Sequence, residues 1–135
     1  MNDFSMFLKE NVKPVETVEY VASTRMLDAD GKPAKWILKP VSSRDDNDIK
    51  NECLKINGKT RGLDLAKYQV KLCAASVVFP PLRNTELQNS YGVVGAEDLL
   101  LELLSTSGEF NGLLTKVTEI TSPETMDELV DEAKN

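Results

Sequence analysis

One segment in the middle of the chain constrains the fold most: a helical pattern that two prolines end abruptly. Between Asp64 and Phe79, the apolar residues form two adjacent stripes that cover well over half of a helix's circumference. These stripes are Ala66, Val70, Cys73 and Val77, beside Leu65, Tyr68, Leu72, Ala75 and Phe79. Pro80-Pro81 ends the pattern, because proline lacks the amide hydrogen and restricts the preceding residue. The segment therefore predicts a central core helix.

The part of the chain before this helix predicts a β-hairpin. Residues 16–23 alternate between apolar and polar positions, as a half-buried strand does. Asp30-Gly31 is a strong turn signal, and a second strand over residues 35–39 places Trp36 and Leu38 on one face. A two-stranded ribbon is marginally stable alone, so we expect one face of it to rest on the helices.

Four more helices follow from caps and periodic apolar positions. One begins at Ser42-Ser43 and carries the stripe Ile49, Cys53 and Ile56, before a polar loop over residues 57–62. A short helix begins with a Thr85–Gln88 capping-box pattern and closes at Gly92. The last two contain a leucine-rich run and a clean amphipathic face. Their apolar residues are Leu99, Leu100, Leu101, Leu103 and Leu104, then Phe110, Leu113, Leu114, Val117 and Ile120.

These elements predict a mainly helical α+β fold, with an N-terminal β-hairpin packed on a bundle of about five helices. We expect Trp36, Leu72 and Phe79 to anchor the core, and both cysteines, Cys53 and Cys73, to be reduced and buried. Residues 1–120 should form a single domain. Residues 121–135 should form an acidic, amphipathic C-terminal helix or tail.

Two terminal apolar edges are candidates for partner binding. Near the N-terminus, the helical spacing i, i+3 and i+4 places three residues on one edge: Phe4, Phe7 and Leu8. Near the C-terminus, Ser122-Pro123-Glu124 is a helix start, and the apolar edge after it contains Met126, Leu129 and Val130. Two interpretations stay open for each edge, since it either completes the core or docks on another protein.

No catalytic, cofactor or metal site is predicted, so we do not expect an enzyme. The sequence contains no histidine, which removes the commonest triad base and metal ligand. Gly58-Lys59-Thr60 lacks the earlier glycine of a phosphate-binding loop, since Cys53 stands there. Gly92-Val93-Val94-Gly95-Ala96 follows a predicted helix rather than the strand that a dinucleotide-binding turn requires. Clustered acids at helix starts are typical of a solvated surface.

Charge and hydropathy argue against a nucleic-acid-binding protein and against a membrane protein. Sixteen basic and 22 acidic residues give a net charge of −6, and no basic stripe offsets it, so nucleic-acid binding is disfavoured. No apolar run reaches the roughly 20 residues that cross a bilayer, and residues 1–10 do not have the pattern of a signal peptide. We therefore expect no membrane contact and a location in the cytoplasm of the cell that makes the protein.

Four passages of the chain, in order, resemble one known family. They are Phe7-Leu8-Lys9-Glu10-Asn11 with the Asp30-Gly31-Lys32-Pro33 turn and Trp36-Ile37-Leu38-Lys39; Val77-Val78-Phe79-Pro80-Pro81-Leu82; Glu86-Leu87-Gln88-Asn89-Ser90-Tyr91-Gly92-Val93 continuing through Gly95-Ala96-Glu97-Asp98-Leu99-Leu100; and Gly108-Glu109-Phe110 with Leu113 and Val117-Thr118-Glu119-Ile120. Spanning roughly residues 4 to 120, they resemble the XkdN-like phage tail assembly chaperones of phages and phage-like elements of Gram-positive bacteria. None of the passages is a catalytic signature.

This resemblance implies a function without catalysis. Such chaperones coat the long, helical tape measure protein and keep it soluble until the tail tube polymerises around it. They are then displaced, so the chain is expected in the host cytoplasm and not in the mature virion. The resemblance implies the tape measure protein as partner, with the tail tube protein and a longer frameshifted form of the chain as further candidates. It implies no cofactor.

Two other functions remain as alternatives. A minor structural tail component would share the fold but stay in the virion. A small inhibitory protein that mimics DNA would line one face with paired carboxylates, whereas the carboxylates here are scattered and concentrate at helix starts.

Overall fold

The computed structural model describes residues 3–122 of the chain. This part contains five α-helices and five short strands. In chain order they follow two 3₁₀ turns, Ser5–Phe7 and Lys9–Asn11: β1 (Val18–Tyr20), β2 (Trp36–Leu38), α1 (Ser43–Glu52), β3 (Leu54–Asn57), β4 (Thr60–Leu63), α2 (Leu65–Ser76), β5 (Val77–Phe79), α3 (Thr85–Ser90), α4 (Ala96–Leu103) and α5 (Ser107–Thr121). The predicted α+β class, with a hairpin near the N-terminus and five helices, is confirmed.

The predicted N-terminal hairpin is present, and a third strand extends it. β1 and β2 pair antiparallel, and β5 pairs with the other edge of β2 to give the strand order β1-β2-β5. Trp36 and Leu38 are buried and Ile37 on the opposite face is only half-buried, as the alternation predicted. The predicted turn lies at the tip of a long β1–β2 connection, where Gly31 takes a φ of 78° that other residues rarely adopt.

Helix α2 lies at the centre of the fold, where it packs against α1, α4, α5 and β5. Its second half is buried, including Leu72, Cys73 and Ser76, whereas its first turn is exposed. Ser76 Oγ donates a hydrogen bond to the Lys39 carbonyl at 2.6 Å, and the Lys39 amide donates to the Ser76 carbonyl at 2.8 Å. These bonds fasten the end of α2 to the end of β2.

The predicted end of this central helix was wrong. The helix stops at Ser76, and residues 77–79 form β5 instead. Two consecutive valines and a phenylalanine favour a strand, and the free edge of β2 supplies the hydrogen-bonding partner. Phe79 pairs with Ile37 on the face turned away from Trp36, and it is 52% exposed. Phe79 is therefore not a core anchor, whereas Trp36 and Leu72 are buried as predicted.

The predicted helix stripe ending at Ile56 and the predicted polar loop over residues 57–62 were also wrong. Helix α1 ends at Glu52, and β3 and β4 then form a hairpin. The turn has Gly58 at a φ of 64° followed by Lys59 at a negative φ. This combination matches a type II′ turn. Ile56 therefore lies on a strand and is 68% exposed, while Cys53 and Ile49 are buried as expected.

Side-chain caps begin α3 and α5. Helix α3 is capped by Asn84, whose side chain accepts from the Leu87 amide at 2.9 Å, so the predicted Thr85–Gln88 capping box was wrong. Helix α5 has a complete capping box, formed by Thr106 and Glu109. Helices α4 and α5 both pack against α2, and they contribute a large share of the buried core. Their buried residues are Leu99, Leu100, Leu103, Leu113 and Val117, with Leu104 just after α4.

Candidate partner-binding surfaces

No group of three or more metal-ligating side chains occurs among residues 3–122, and the full sequence has no histidine. Both cysteines are fully buried, and burial raises the pKa of the Cys73 thiol to about 12. A thiol in that state is neither a nucleophile nor a metal ligand at neutral pH.

The acidic start of α1 holds two helices together. Asp46 accepts hydrogen bonds from Lys50 on its own helix, at 2.8 Å, and from the Tyr68 hydroxyl on α2. Partial burial raises the pKa of Tyr68 to about 12, and the Asp46 carboxylate adds to this shift. Partial burial opposes ionisation of Asp46, but the bonds from Lys50 and Tyr68 outweigh it and lower its pKa. This carboxylate therefore has a structural role.

The N-terminal edge is an exposed apolar surface. Phe4, Phe7 and Leu8 are 67%, 75% and 42% exposed, and every residue from 3 to 17 is exposed. The hydrogen bonds of its two 3₁₀ turns are local, such as Asn11 Nδ2 to the Ser5 carbonyl at 2.7 Å. The interpretation that this edge completes the core is therefore wrong. Met6, Val12 and Val15 extend the same exposed surface. We call residues 3–17 the N-terminal arm.

The predicted C-terminal edge lies beyond Ser122, the last described residue. Met126, Leu129 and Val130 lie outside the described residues, as does most of the predicted C-terminal segment from residue 121 onwards. Helix α5 ends at Thr121, whose Oγ1 accepts a hydrogen bond from the Val41 amide at 3.2 Å. The chain therefore leaves the described part of the molecule next to the start of α1.

A cleft that the sequence did not predict lies between α1, the end of α2, β5 and the start of α4. It has a volume of about 550 Å³, and Ala74, Ala75 and Ala96 contribute small side chains to its lining. Lys71 bridges the cleft by ion pairs of 3.0 Å to Glu52 on α1 and 3.0 Å to Glu97 on α4. The two carboxylates raise the pKa of Lys71 by accepting its hydrogen bonds. This bridge joins α1, α2 and α4 across the cleft.

A second unpredicted surface is the β3–β4 hairpin, in which all eight strand residues are exposed. Its sequence signal was present, because Leu54 and Ile56 alternate with polar residues directly before Asn57-Gly58. The helix stripe that continued from Ile49 competed with this signal.

An ion-pair network joins the β1–β2 connection to the start of α5. Arg25, in the β1–β2 connection, donates to Glu109 at 2.6 Å and 3.1 Å, and Ser23 Oγ also donates to Glu109. Arg25 further donates to Ser105 Oγ at 3.1 Å. These donors, with the Arg25 guanidinium first, lower the pKa of Glu109 to about 2. Because the same carboxylate completes the capping box with Thr106, it joins the sheet connection to the start of α5.

Among residues 3–122, no helix combines the length and the apolar character that a membrane crossing requires. Three surfaces of the described part of the chain are candidates for function: the N-terminal arm, the cleft and the β3–β4 hairpin. Two of the three are apolar and exposed, as expected of a protein that binds other proteins.

Comparison with known proteins agrees with this architecture. A crystal structure of the protein YqbN superposes with a TM-score of 0.78 at 23% identity, covering 90% of this chain and 97% of that one, which shows a shared fold. In sequence, the chain is 26% identical to the phage-like element PBSX protein XkdN of Bacillus subtilis (strain 168), over 98% of this chain and 94% of that protein. YqbN of the same strain is 24% identical, over 98% and 93%.

The family model described as phage XkdN-like tail assembly chaperone protein matches residues 4–134. The match includes the N-terminal arm and the whole of the described fold, and it agrees with the resemblance carried by the four sequence passages. The chain therefore belongs to the XkdN-like family of phage tail assembly chaperones.

Proposed function

We propose that this chaperone binds the tape measure protein in the host cytoplasm and keeps it soluble until the tail tube polymerises around it, without catalysing a reaction. A tape measure protein is long and helical, and its exposed apolar stripes would aggregate before assembly. An acidic domain that covers such stripes keeps the complex soluble, because its net charge of −6 repels other copies.

The observation that carries this proposal is the N-terminal arm. Phe4 and Phe7 hold large rings in solvent at 67% and 75% exposure, and the hydrogen bonds of the arm leave them free to contact another protein. Leu8, at 42% exposure, adds a third apolar side chain to this edge, and exposed apolar side chains of this kind can pack against an amphipathic helix. One such edge is small, so each copy should bind modestly and reversibly, and many copies should line one partner.

The experiment is co-expression of the full chain with its tape measure protein, followed by pull-down and a solubility assay. We expect the partner to become soluble and to co-purify with several copies of this chain. Replacing Phe4, Phe7 and Leu8 together by serine should weaken binding at least about tenfold, since burial of one such side chain contributes about 1.5–3 kcal/mol.

The matched control is Val94→Ser, which removes an exposed apolar side chain that is 90% accessible and lies outside the arm. It should leave binding unchanged. A wild-type chain that neither binds nor solubilises the partner contradicts the proposed function. A triple variant that binds like the wild type contradicts only the role of the arm. Many copies in purified mature tails, measured by mass spectrometry, would favour the alternative of a structural tail component.

A further inference from the structure

The β3–β4 hairpin is built as if one of its faces were covered. Residues directly opposite each other in an antiparallel pair share a face, and Leu54 pairs with Leu63 while Ile56 pairs with Arg61. One face therefore carries three large apolar side chains, which are 49%, 40% and 68% exposed for Leu54, Leu63 and Ile56. A two-stranded ribbon with an exposed apolar face is marginally stable in water.

The same hairpin is a basic segment of an acidic protein. Residues 54–63 contain Lys55, Lys59 and Arg61 and no acid, in a chain whose net charge is −6. Within residues 3–122, the single ion pair of these cations is Lys55 with Asp64 at 3.9 Å, on the exposed surface. The hairpin thus combines an apolar face with positive charge, and it suits an occupant that is apolar on one edge and acidic elsewhere.

Residues 123–135 have that chemistry. They contain five acids and one lysine, which gives a net charge of −4, and the spacing of Met126, Leu129, Val130 and Ala133 predicts one apolar edge. The N-terminal arm is a poorer match, because residues 3–17 contain three acids and two lysines and are nearly neutral. Charge complementarity therefore selects the C-terminal segment.

The segment is also long enough to reach the hairpin within one chain. The Thr121–Val41 hydrogen bond places the end of α5 beside the start of α1. The ten residues of α1 then rise about 15 Å to the hairpin. Thirteen residues span about 20 Å as a helix and more than about 40 Å when extended.

We propose that residues 123–135 dock on the hairpin of their own chain, with their apolar edge on Leu54, Ile56 and Leu63 and their carboxylates beside Lys59 and Arg61. Docking of this kind does not require the tape measure protein, so it can be tested on the isolated chain. It assigns Met126, Leu129 and Val130 to an intramolecular contact.

The test is amide hydrogen exchange of residues 54–63 in the full-length chain, compared with a Lys59→Glu/Arg61→Glu variant. We expect exchange in the hairpin to become about fivefold faster in the variant, since the loss of two exposed ion pairs weakens docking only modestly. A compensating variant that also carries Asp127→Lys and Glu128→Lys should restore the slower exchange. The matched control, Lys9→Glu/Lys13→Glu in the N-terminal arm, should change nothing in the hairpin.

The rescue separates docking from damage to the hairpin, because the variant with all four substitutions still carries both changes in the hairpin. Faster exchange without rescue overturns the proposal, as does unchanged exchange in the charge-reversal variant. Protection that rises with protein concentration also overturns it, since the contact would then join two chains. Amides of α5 serve as an internal reference, because their protection reports whether the core remains folded.

Discussion

At the residue scale, Glu109 joins the β1–β2 connection to the start of α5. It accepts hydrogen bonds from Arg25 and Ser23, and it completes the capping box with Thr106. Arg25 lies 84 positions away in the sequence. Thr106 and Glu109 have the spacing of a capping box, but nothing in the nearby sequence indicates that the β1–β2 connection approaches them. Contacts of this kind depend on the assembled fold.

This carboxylate predicts a specific acid sensitivity. Its pKa is lowered from 4.5 to about 2 in the folded state, chiefly by Arg25, so its stabilising contribution is complete above about pH 4.5 and is lost as the pH falls towards 2. The free energy of unfolding of wild type and Glu109→Gln should therefore differ most at neutral pH and converge between pH 4.5 and 2.

Urea unfolding over that pH range measures the effect. Glu102→Gln on α4 is the control, because it removes an exposed carboxylate without removing the contacts to Arg25 and Ser23. A difference between wild type and Glu109→Gln that stays constant down to pH 2 would contradict the role of the ion pair.

The two cysteines give a second prediction at this scale. Both side chains are fully buried, and burial raises the pKa of Cys73 to about 12. We expect neither thiol to react with a disulfide reagent in the native protein, and both to react once urea unfolds it. Rapid labelling of one thiol under native conditions would show that its surroundings open without global unfolding.

At the element scale, the change from α2 to β5 separates what the sequence predicted from what it did not. The start of the helix and the burial of Leu72 and Cys73 were predictable from apolar periodicity. The switch at Ser76 was not, since Val77 and Phe79 fit a helix stripe as well as a strand. The free edge of β2, about 40 residues earlier in the chain, decided between them.

This difference predicts unequal effects for two residues of the same stripe. Leu72 is 7% exposed and packs in the core, so Leu72→Ala should lower the free energy of unfolding by about 2–5 kcal/mol. Phe79 is 52% exposed on the outer face of the sheet, so Phe79→Ala should cost less than about 1.5 kcal/mol. Equilibrium denaturation of both variants measures these values. Equal losses would mean that Phe79 is covered in solution.

The candidate surfaces were predictable to different degrees for related reasons. The apolar edge of the N-terminal arm was visible from the spacing of Phe4, Phe7 and Leu8, because the residues lie close together in sequence. The cleft was not visible, since α1, α2, β5 and α4 each contribute part of its wall. The exposed face of the β3–β4 hairpin was missed because its apolar residues continued a helical period from Ile49.

At the scale of the whole molecule, exposed apolar groups and charge are distributed unevenly. The N-terminal arm holds its apolar side chains away from the core, and the β3–β4 hairpin combines its apolar face with positive charge. The cleft is closed in part by the Lys71 bridge to Glu52 and Glu97. Because the two surfaces are formed by separate segments, the N-terminal arm can contact a partner protein while the β3–β4 hairpin makes another contact.

The pairing of the sheet also has a consequence for synthesis on the ribosome. β1 and β2 emerge first, but the third strand of their sheet lies at residues 77–79, and Leu113 and Val117, core residues packed with Trp36, belong to the last helix. The Arg25–Glu109 pair likewise needs α5. Because these distant contacts depend on α5, we expect the first third of the nascent chain to have no stable fold of its own until α5 has been translated. The described fold should therefore form only after its last helix has left the ribosome.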